Sequence, residues 1–459
     1  LNRLREDSPA ALAELYNQCR SLAGDLRDIC LTFDPDAPEF GRAVSAPPNR
    51  FFYNPTDAPD SRSVFGDGLP DRASPQATMT RKYICNIPNS ALISPARPSL
   101  YGHGLLGSRG EVNSGHVADM ADAHNMMFCA VDWFGFSEGD IASIVAILLD
   151  VSNLPSLTDS SQQGMLNMMF LARAMKHPEG FAAQPAFQDG DGKALFTTNE
   201  VYYDGNSQGG IMGGAVVAVS RDVNRGVLGV PGMNYSTLLR RSVDFDIYAI
   251  PLNLAYHDDL DRSLVFSLME MLWERAENNG YAHHMGTASS SNTPYPNTPD
   301  NELLLQVGFS DHQVTMWSAD VMARTIHAGV DRQDLAFPNR HPDEQEYALL
   351  DDLTVASGAQ YIDKQYFGSA LAIFDASWDA APDDRCATQS TLPAPIGNVP
   401  PRNPESMPAG QSNDDPHECP RREPSAKCQK SHFLYPISAV LNVNGVTRDD
   451  LCPQLPAIP

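Results

Sequence analysis

The chain has 459 residues, of which 57 are acidic and 32 are basic, so its formal net charge at pH 7 is −25. This strong negative balance argues against a nucleic acid or an anionic membrane as a partner. No apolar run approaches the roughly 18 residues that span a bilayer, and we therefore expect no transmembrane segment. The length allows either one large catalytic core with added segments or two domains.

Eight cysteines are present, and none forms the C-x-x-C pair expected of a zinc or redox site. Their even number in loop-rich flanks favours disulfides over reduced thiols, and disulfides indicate an oxidising compartment. We therefore expect a secreted or periplasmic protein, and any signal peptide has been removed or was never included in this sequence. Cys129 lies within an apolar run and is predicted to be a buried free thiol.

Most of the N-terminal part of the chain lacks the regular spacing of apolar residues that indicates a helix or a strand. Residues 1–79 open with a helical stretch at 9–29 and then become rich in Pro, Asp, Ser and Gly. This composition predicts an irregular arm wrapped over a catalytic domain that spans residues 80–459. Residues 80–87 alternate as an edge strand does, and Pro88 ends the pattern.

Strands and helices alternate after this arm. Residues 99–107, with the letters SLYGHGLLG, predict a short strand that runs into glycine-rich backbone. Residues 126–131 form an apolar run typical of a buried strand. Residues 141–150 and 158–175 are predicted to be helical. This order of elements is typical of an α/β protein.

A short acidic segment precedes the central motif. Residues 189–193, with the letters DGDGK, resemble part of a calcium loop. Only two carboxylates are present, and the remaining ligand positions of such a loop are missing. A turn is therefore favoured over a metal site, and we predict neither a metal nor a cofactor.

The central motif follows a β-prone run at residues 200–203 and reads Gly205-x-Ser207-x-Gly209. A small-residue segment with helical potential, residues 211–220, comes directly after it. A serine at such a strand-to-helix turn is forced into a cramped backbone conformation, so glycines are needed two positions before and after it. The turn holds the hydroxyl clear of the backbone, which makes Ser207 a candidate nucleophile.

Together with the HGLLG segment at residues 103–107, this turn resembles the secreted bacterial lipases and esterases of the α/β-hydrolase superfamily. The resemblance implies an α/β fold with a mostly parallel central sheet flanked by helices. It implies that Ser207 is the nucleophile and that the backbone N–H groups of Leu105 and Gln208 form the oxyanion hole. Each such donor contributes about 3 kcal/mol to the transition state. His103 would brace the loop rather than act as a base.

The same resemblance places the acid of a catalytic triad just past a late strand of the sheet. Residues 301–314 predict a strand, a loop and the start of a helix. Asp311 in that loop is the predicted acid, which would orient the base and stabilise its protonated form. His312 adjoins Asp311 and is expected to be structural.

The base of the triad is expected in a loop after the last strand. The last strand is predicted at residues 368–374, and an irregular loop of unusual length follows at 375–416. His417 ends this loop and is the predicted base, with His432 as the less favoured alternative. The chain order of nucleophile, acid and base is then that of the superfamily.

A cap over the active site is predicted at residues 234–299, because such a segment lies between late strands of the sheet. It contains an amphipathic helix at 264–275 together with several aromatic residues. A helix that packs on the sheet without any gating is the alternative.

These residues predict a carboxylic ester hydrolase of the lipase or esterase type, which acts through an acyl-enzyme and needs no cofactor. The expected substrate is a small or lipid-like ester, and a polymeric ester is also open. A peptidase or amidase on the same fold is one alternative, and a non-catalytic surface binding protein is another. Acyl length and oligomeric state are not indicated by the sequence.

Overall fold

The structure of the protein, a computed structural model, describes residues 80–286, 292–308, 311–330, 351–352, 361–362, 365–374, 415–436 and 440–441. The predicted arm at 1–79 and almost all of the predicted loop at 375–416 lie outside these residues, so both remain predictions. In the described part of the chain, no helix has the combined length and hydropathy of a membrane span.

The described residues contain twelve strands, nine of which form one central sheet. In chain order the strands are β1 (Tyr83–Asn86), β2 (Arg97–Gly102), β3 (Met126–Val131), β4 (Val201–Asn206), β5 (Val223–Gly229), β6 (Glu302–Gly308), β7 (Gly329–Val330), β8 (Asp351–Asp352), β9 (Tyr361–Ile362), β10 (Gln365–Tyr366), β11 (Ala370–Phe374) and β12 (Val440–Leu441). The order across the central sheet is β1-β3-β2-β4-β5-β6-β11-β7-β8. β1 is antiparallel to β3, and all other neighbours in this sheet are parallel. β9, β10 and β12 form a small antiparallel sheet.

Helices cover both faces of the central sheet. In chain order they are α1 (Gly115–His124), α2 (Ile141–Leu149), α3 (Leu154–Lys176), α4 (Gln208–Val219), α5 (Tyr235–Leu239), α6 (Phe245–Ala255), α7 (Asp259–Trp273), α8 (Met316–Thr325), α9 (Cys419–Arg422) and α10 (Pro424–Phe433). Residues of α3, α4 and α8 belong to the larger hydrophobic core, and residues of α1 and α10 belong to a second core on the other face.

The side chains of the central strands alternate between these two cores. Leu100 in β2 packs into the larger core, whereas the next residue, Tyr101, packs into the smaller one. Successive strand residues point to opposite faces, so a strand covered on both sides is apolar throughout. This accounts for the unbroken apolar run of β3, which coincides with the predicted residues 126–131. The predicted fold class, α/β with a mostly parallel sheet flanked by helices, is confirmed.

The prediction that Cys129 is a free thiol is wrong, because Cys129 forms a disulfide with Cys85. β1 pairs with β3 in a register that places Cys85 directly opposite Cys129, with their Cα atoms 4.1 Å apart. The apolar surroundings of Cys129 are real, but they do not reveal which residue lies on the neighbouring strand. Cys419 and Cys428 are also disulfide-bonded. Disulfides are typical of oxidising compartments.

Among the described residues, the last strand of the central sheet in chain order is β11 (Ala370–Phe374), within the predicted residues 368–374, but it is not an edge strand. β11 lies inside the sheet between β6 and β7, and β8 continues the sheet beyond β7. β7 and β8 have only two residues each, which is too short for an alternation of apolar and polar residues to be recognised.

Helix α3 begins at Leu154 rather than at residue 158, because Pro155 is tolerated in the first turn of a helix.

Candidate active site

Ser207 lies in the turn between β4 and α4 with φ of 60° and ψ of −121°. This conformation is strained for a residue with a side chain, and such strain persists only where the surrounding structure imposes it. The Ser207 N–H donates to the Gly229 carbonyl over 2.9 Å, and the Ser207 carbonyl accepts from the Ile211 N–H over 2.9 Å. These bonds tie the turn to β5 on one side and start α4 on the other.

α4 packs so closely against the end of β2 that Gly209 has no room for a side chain. A Cβ added to Gly209 would lie 2.1 Å from the Gly102 carbonyl oxygen. A Cβ added to Gly205 would lie 2.7 Å from the Gly209 carbonyl oxygen. Close backbone packing therefore accounts for Gly209, and the Gly209 carbonyl together with the Tyr203 hydroxyl accounts for Gly205.

We expect Gly209→Ala to lower the free energy of unfolding by about 3 kcal/mol, because α4 must move away from β2 to make room. Gly115→Ala in α1 is the matched control, since no atom lies within 4 Å of a Cβ added there. Thermal unfolding of the two variants measures the difference. Equal melting temperatures would contradict the packing argument.

Asp311 and His417 are in direct contact although 106 positions separate them. His417 Nδ1 lies 2.8 Å from Asp311 Oδ2, and the two side chains are only 2% and 1% exposed. Asp311 Oδ1 accepts hydrogen bonds from the backbone N–H groups of Gln313 (2.8 Å) and Val314 (2.9 Å). The carboxylate is thus fixed by its own loop and directed at one imidazole nitrogen. His432, the alternative base, is buried in α10.

The electrostatics of this pair set the charge on the imidazole. Burial lowers the pKa of His417, but the charge of Asp311 and the hydrogen bond to it outweigh burial, so the net pKa of His417 is raised. A neutral His417 with its proton on Nδ1 leaves Nε2 free to accept a proton.

The loop after β2 passes directly beside Ser207. A Cβ added to Gly104 would lie 3.9 Å from the Cβ of Ser207. His103 holds this loop, because its Nε2 accepts from the Trp133 N–H over 2.9 Å. Its Nδ1 must then carry the proton, which it donates to the Gly104 carbonyl over 2.8 Å. These contacts fit a bracing role for His103.

A cavity of about 630 Å³, including its open mouth, lies beside Ser207. Leu105 and Gln208, the two predicted oxyanion donors, line this cavity together with Ser207. Most of the other lining side chains are apolar, and many come from α2, α5, α6 and α7. Helices within the predicted cap segment thus form part of the cavity wall, while the boundaries of the cap at 234–299 remain a prediction.

Aromatic rings form one wall of this cavity. Tyr235 stacks on Trp273 with ring centroids 4.4 Å apart and on Phe136 at 5.9 Å. The Tyr235 hydroxyl donates to Gln208 Oε1. The residue after Ser207 is thereby fixed through its side chain, which limits the movement of its backbone N–H.

Two residues that support the site carry no recognisable sequence signal. Glu111 Oε2 accepts from the Gly104 N–H over 2.8 Å, and Glu111 Oε1 accepts from the Tyr101 hydroxyl over 2.8 Å. Asp415 Oδ1 accepts from the backbone N–H groups of His312 and His417, each over 3.1 Å. Glu111 therefore supports the loop beside Ser207. Asp415 joins the loop of Asp311 to the turn that carries His417.

We expect Asp415→Ala to lower kcat by about 10- to 100-fold, because a small displacement of the His417 turn misaligns the imidazole. KM should change little, since Asp415 does not line the cavity. Asp415→Asn keeps one acceptor oxygen, so it should retain most of kcat. Because the Asp415 charge raises the pKa of His417, both variants should show the acid limb of the kcat/KM profile at lower pH. An alanine variant with wild-type kcat and pH profile would contradict this role.

In the described part of the chain, no cluster of three or more His, Cys, Asp or Glu side chains is arranged to hold a metal ion. The segment at residues 189–193 forms a turn in which Asp189 Oδ1 accepts from the backbone N–H groups of Asp191 and Lys193, each over 2.9 Å. The predicted turn is therefore present, with one of its carboxylates engaged by the backbone.

No family model matches the chain, and no curated protein does. Similar solved structures include an acylaminoacyl peptidase from Pyrococcus horikoshii, which is 12% identical with a TM-score of 0.35 and an alignment that covers 65% of this chain and 35% of that one. Acetyl xylan esterase 1 from Thermoanaerobacterium sp. JW/SL YS485 is 14% identical with a TM-score of 0.35, and the alignment covers 61% of this chain and 69% of the esterase. An S-formylglutathione hydrolase from Agrobacterium tumefaciens is 12% identical with a TM-score of 0.31, and the alignment covers 53% of this chain and 76% of the hydrolase.

The chain spans about a third of the length of the peptidase, since the alignment covers 35% of that protein. At these identities and TM-scores, the similarity gives no information about the activity of this chain. What the site can do chemically therefore follows from its own contacts.

Proposed function

We propose that the chain is a serine hydrolase of the α/β-hydrolase superfamily that cleaves carboxylic esters. The observation that supports this most is the buried hydrogen bond between Asp311 and His417. Asp311 follows β6, and Ser207 follows β4 in the same parallel sheet, so both residues lie at the carboxyl ends of strands. Ligand and catalytic sites of open α/β sheets lie at that end.

In the proposed mechanism, His417 Nε2 removes the proton from Ser207 Oγ as Oγ attacks the ester carbonyl carbon. The backbone N–H groups of Leu105 and Gln208 stabilise the oxyanion that forms. Asp311 stabilises the imidazolium, which then gives its proton to the leaving alcohol. The acyl group remains on Ser207 until a water molecule, activated by His417, releases the acid.

The wall of the cavity supports an ester with an apolar group. Apolar and aromatic side chains dominate it, and a few polar side chains line it as well. Sites of this composition bind apolar ligands and orient them through the few polar contacts. We further propose that the protein is secreted or periplasmic, which its disulfides support.

Hydrolysis of p-nitrophenyl esters from acetate to palmitate tests this proposal. We expect turnover with an optimum at one acyl length, and a fluorophosphonate should label Ser207, as peptide mass mapping would reveal. The matching p-nitroanilides test the amidase alternative, and faster cleavage of the anilides would favour it. No turnover of any ester, with no label on Ser207, would exclude the ester hydrolase and favour a non-catalytic binding protein.

A further inference from the structure

Asp244 is the only charged residue among the described residues that line the cavity. It lies next to Phe245, the first residue of α6, and its neighbours in the cavity wall are mostly apolar. Its backbone N–H donates to Ser242 Oγ over 3.2 Å. No group in the described part of the chain donates a hydrogen bond to its carboxylate. The proposed mechanism does not use this residue.

The surroundings of Asp244 show on which side of the site it lies. Burial raises its pKa to about 6, and among nearby charges His417 acts on it most strongly and lowers its pKa. Asp415, Asp311 and Asp246 raise its pKa. Asp244 is therefore mostly ionised at neutral pH. The Val243 N–H donates to the His312 carbonyl over 3.0 Å, so Asp244 lies beside the loop in which Asp311 contacts His417. His417 gives its proton to the leaving alcohol, so the alcohol part of an ester lies on that side.

A carboxylate in an apolar cavity is stabilised when a ligand donates a hydrogen bond to it. A site of this kind disfavours analogues that lack the donor, because the half-buried acceptor then loses a hydrogen-bond partner. An ammonium donor would be attracted by Asp244 but repelled by the imidazolium that forms on His417, so its binding would weaken as that charge develops in the transition state. A carboxylate on the substrate would be repelled by Asp244. A neutral hydroxyl avoids both conflicts.

We infer that Asp244 is a specificity residue that accepts a hydrogen bond from a hydroxyl on the alcohol part of the substrate. The chemical class of substrate is thus the ester of a diol or polyol. The inference rests on the proposed ester hydrolase function and adds to it the nature of the leaving alcohol.

Two esters that differ by one hydroxyl test this inference, namely ethyl butyrate and the monobutyrate of ethylene glycol. The ratio of their kcat/KM values, measured by pH-stat titration of the released acid, is the readout. We expect the wild type to prefer the glycol ester by about 10- to 100-fold, because a hydrogen bond to a charged group has that effect. In Asp244→Ala the ratio should fall to near unity.

Two further variants serve as controls for the ratio of the two kcat/KM values. Asp244→Asn keeps an acceptor oxygen without the charge, so it should retain a several-fold preference, and it supplies the comparison if the alanine variant does not fold. Asp246→Asn removes an exposed charge from α6, two positions after Asp244. Its loss can only lower the pKa of Asp244, which is already mostly ionised at neutral pH, so the ratio should stay at the wild-type value.

The possible failures are distinguishable. A wild-type ratio near unity, or the same ratio in the wild type and in Asp244→Ala, overturns the role of Asp244. Turnover of p-nitrophenyl esters without turnover of either butyrate also overturns it, while the hydrolase proposal stands. No turnover of any ester overturns the hydrolase proposal and the inference with it.

Discussion

Ser207→Ala is expected to lower kcat for p-nitrophenyl esters by about 10⁴- to 10⁶-fold, because it removes the atom that forms the acyl-enzyme. The loss should appear in kcat rather than in KM, since the cavity wall and the backbone N–H groups remain. Stopped assays with burst analysis would also show that no acyl-enzyme accumulates. The residual rate measures the acceleration that substrate binding and the oxyanion donors provide in the absence of the nucleophile.

Ser161→Ala is the matched control for this variant. Ser161 is a buried serine whose hydroxyl donates to the Leu157 carbonyl within α3, and it does not line the cavity. Its replacement should leave kcat within about threefold of the wild type, because the effect of removing a hydroxyl away from the site is mainly on stability. A Ser207→Ala enzyme with more than a tenth of wild-type kcat would exclude Ser207 as the nucleophile.

Asp311→Asn is expected to lower kcat by about 10⁴-fold, because an amide at this position favours the wrong imidazole tautomer. The backbone N–H groups of Gln313 and Val314 donate to Asp311 Oδ1. In the variant they hold the oxygen of the new amide, so its NH₂ group faces His417 Nδ1. The imidazole proton then moves to Nε2, which can no longer accept one from the nucleophile. Asp222→Asn, which removes a carboxylate paired with Arg173, is the control and should keep wild-type kcat.

The pH profile gives an independent readout of the same pair. The wild-type pKa of His417 is raised, and the imidazolium is inactive as a base, so kcat/KM should fall with acid around a midpoint above about pH 6.5. Without the Asp311 charge, burial lowers the pKa of His417, and the acid limb should move below that value. An unchanged acid limb in Asp311→Asn would show that another group controls it.

The features that could be predicted from the sequence are those that neighbouring residues determine. The turn around Ser207 follows from its two glycines, a strand before it and a helix after it. β3 follows from six consecutive apolar residues because both faces of the sheet are covered. The positions of Asp311 and His417 were predicted from chain order, and the structure places them in contact, although their catalytic roles remain a prediction.

Other features depend on residues that are distant in the chain. Asp415 bonds His312 across 103 positions, and no local pattern indicates such a contact. Cys129 meets Cys85 only because β1 lies antiparallel beside β3. Asp244 sits in no motif, since its position in the cavity depends on how α6 packs. These features are properties of the tertiary structure and are not encoded by periodicity or by motif spacing.

The hydrogen bonds of His103 require its neutral form, because Nε2 must accept from Trp133 while Nδ1 donates to Gly104. Burial lowers the pKa of His103, so the stability that depends on the neutral ring is lost only as the pH falls below about 6.5. His417 is shifted in the opposite direction and takes up its proton first. Mild acid should therefore stop turnover reversibly, with full recovery at neutral pH. Stronger acid should release the loop beside Ser207 itself, so that recovery becomes as slow as refolding.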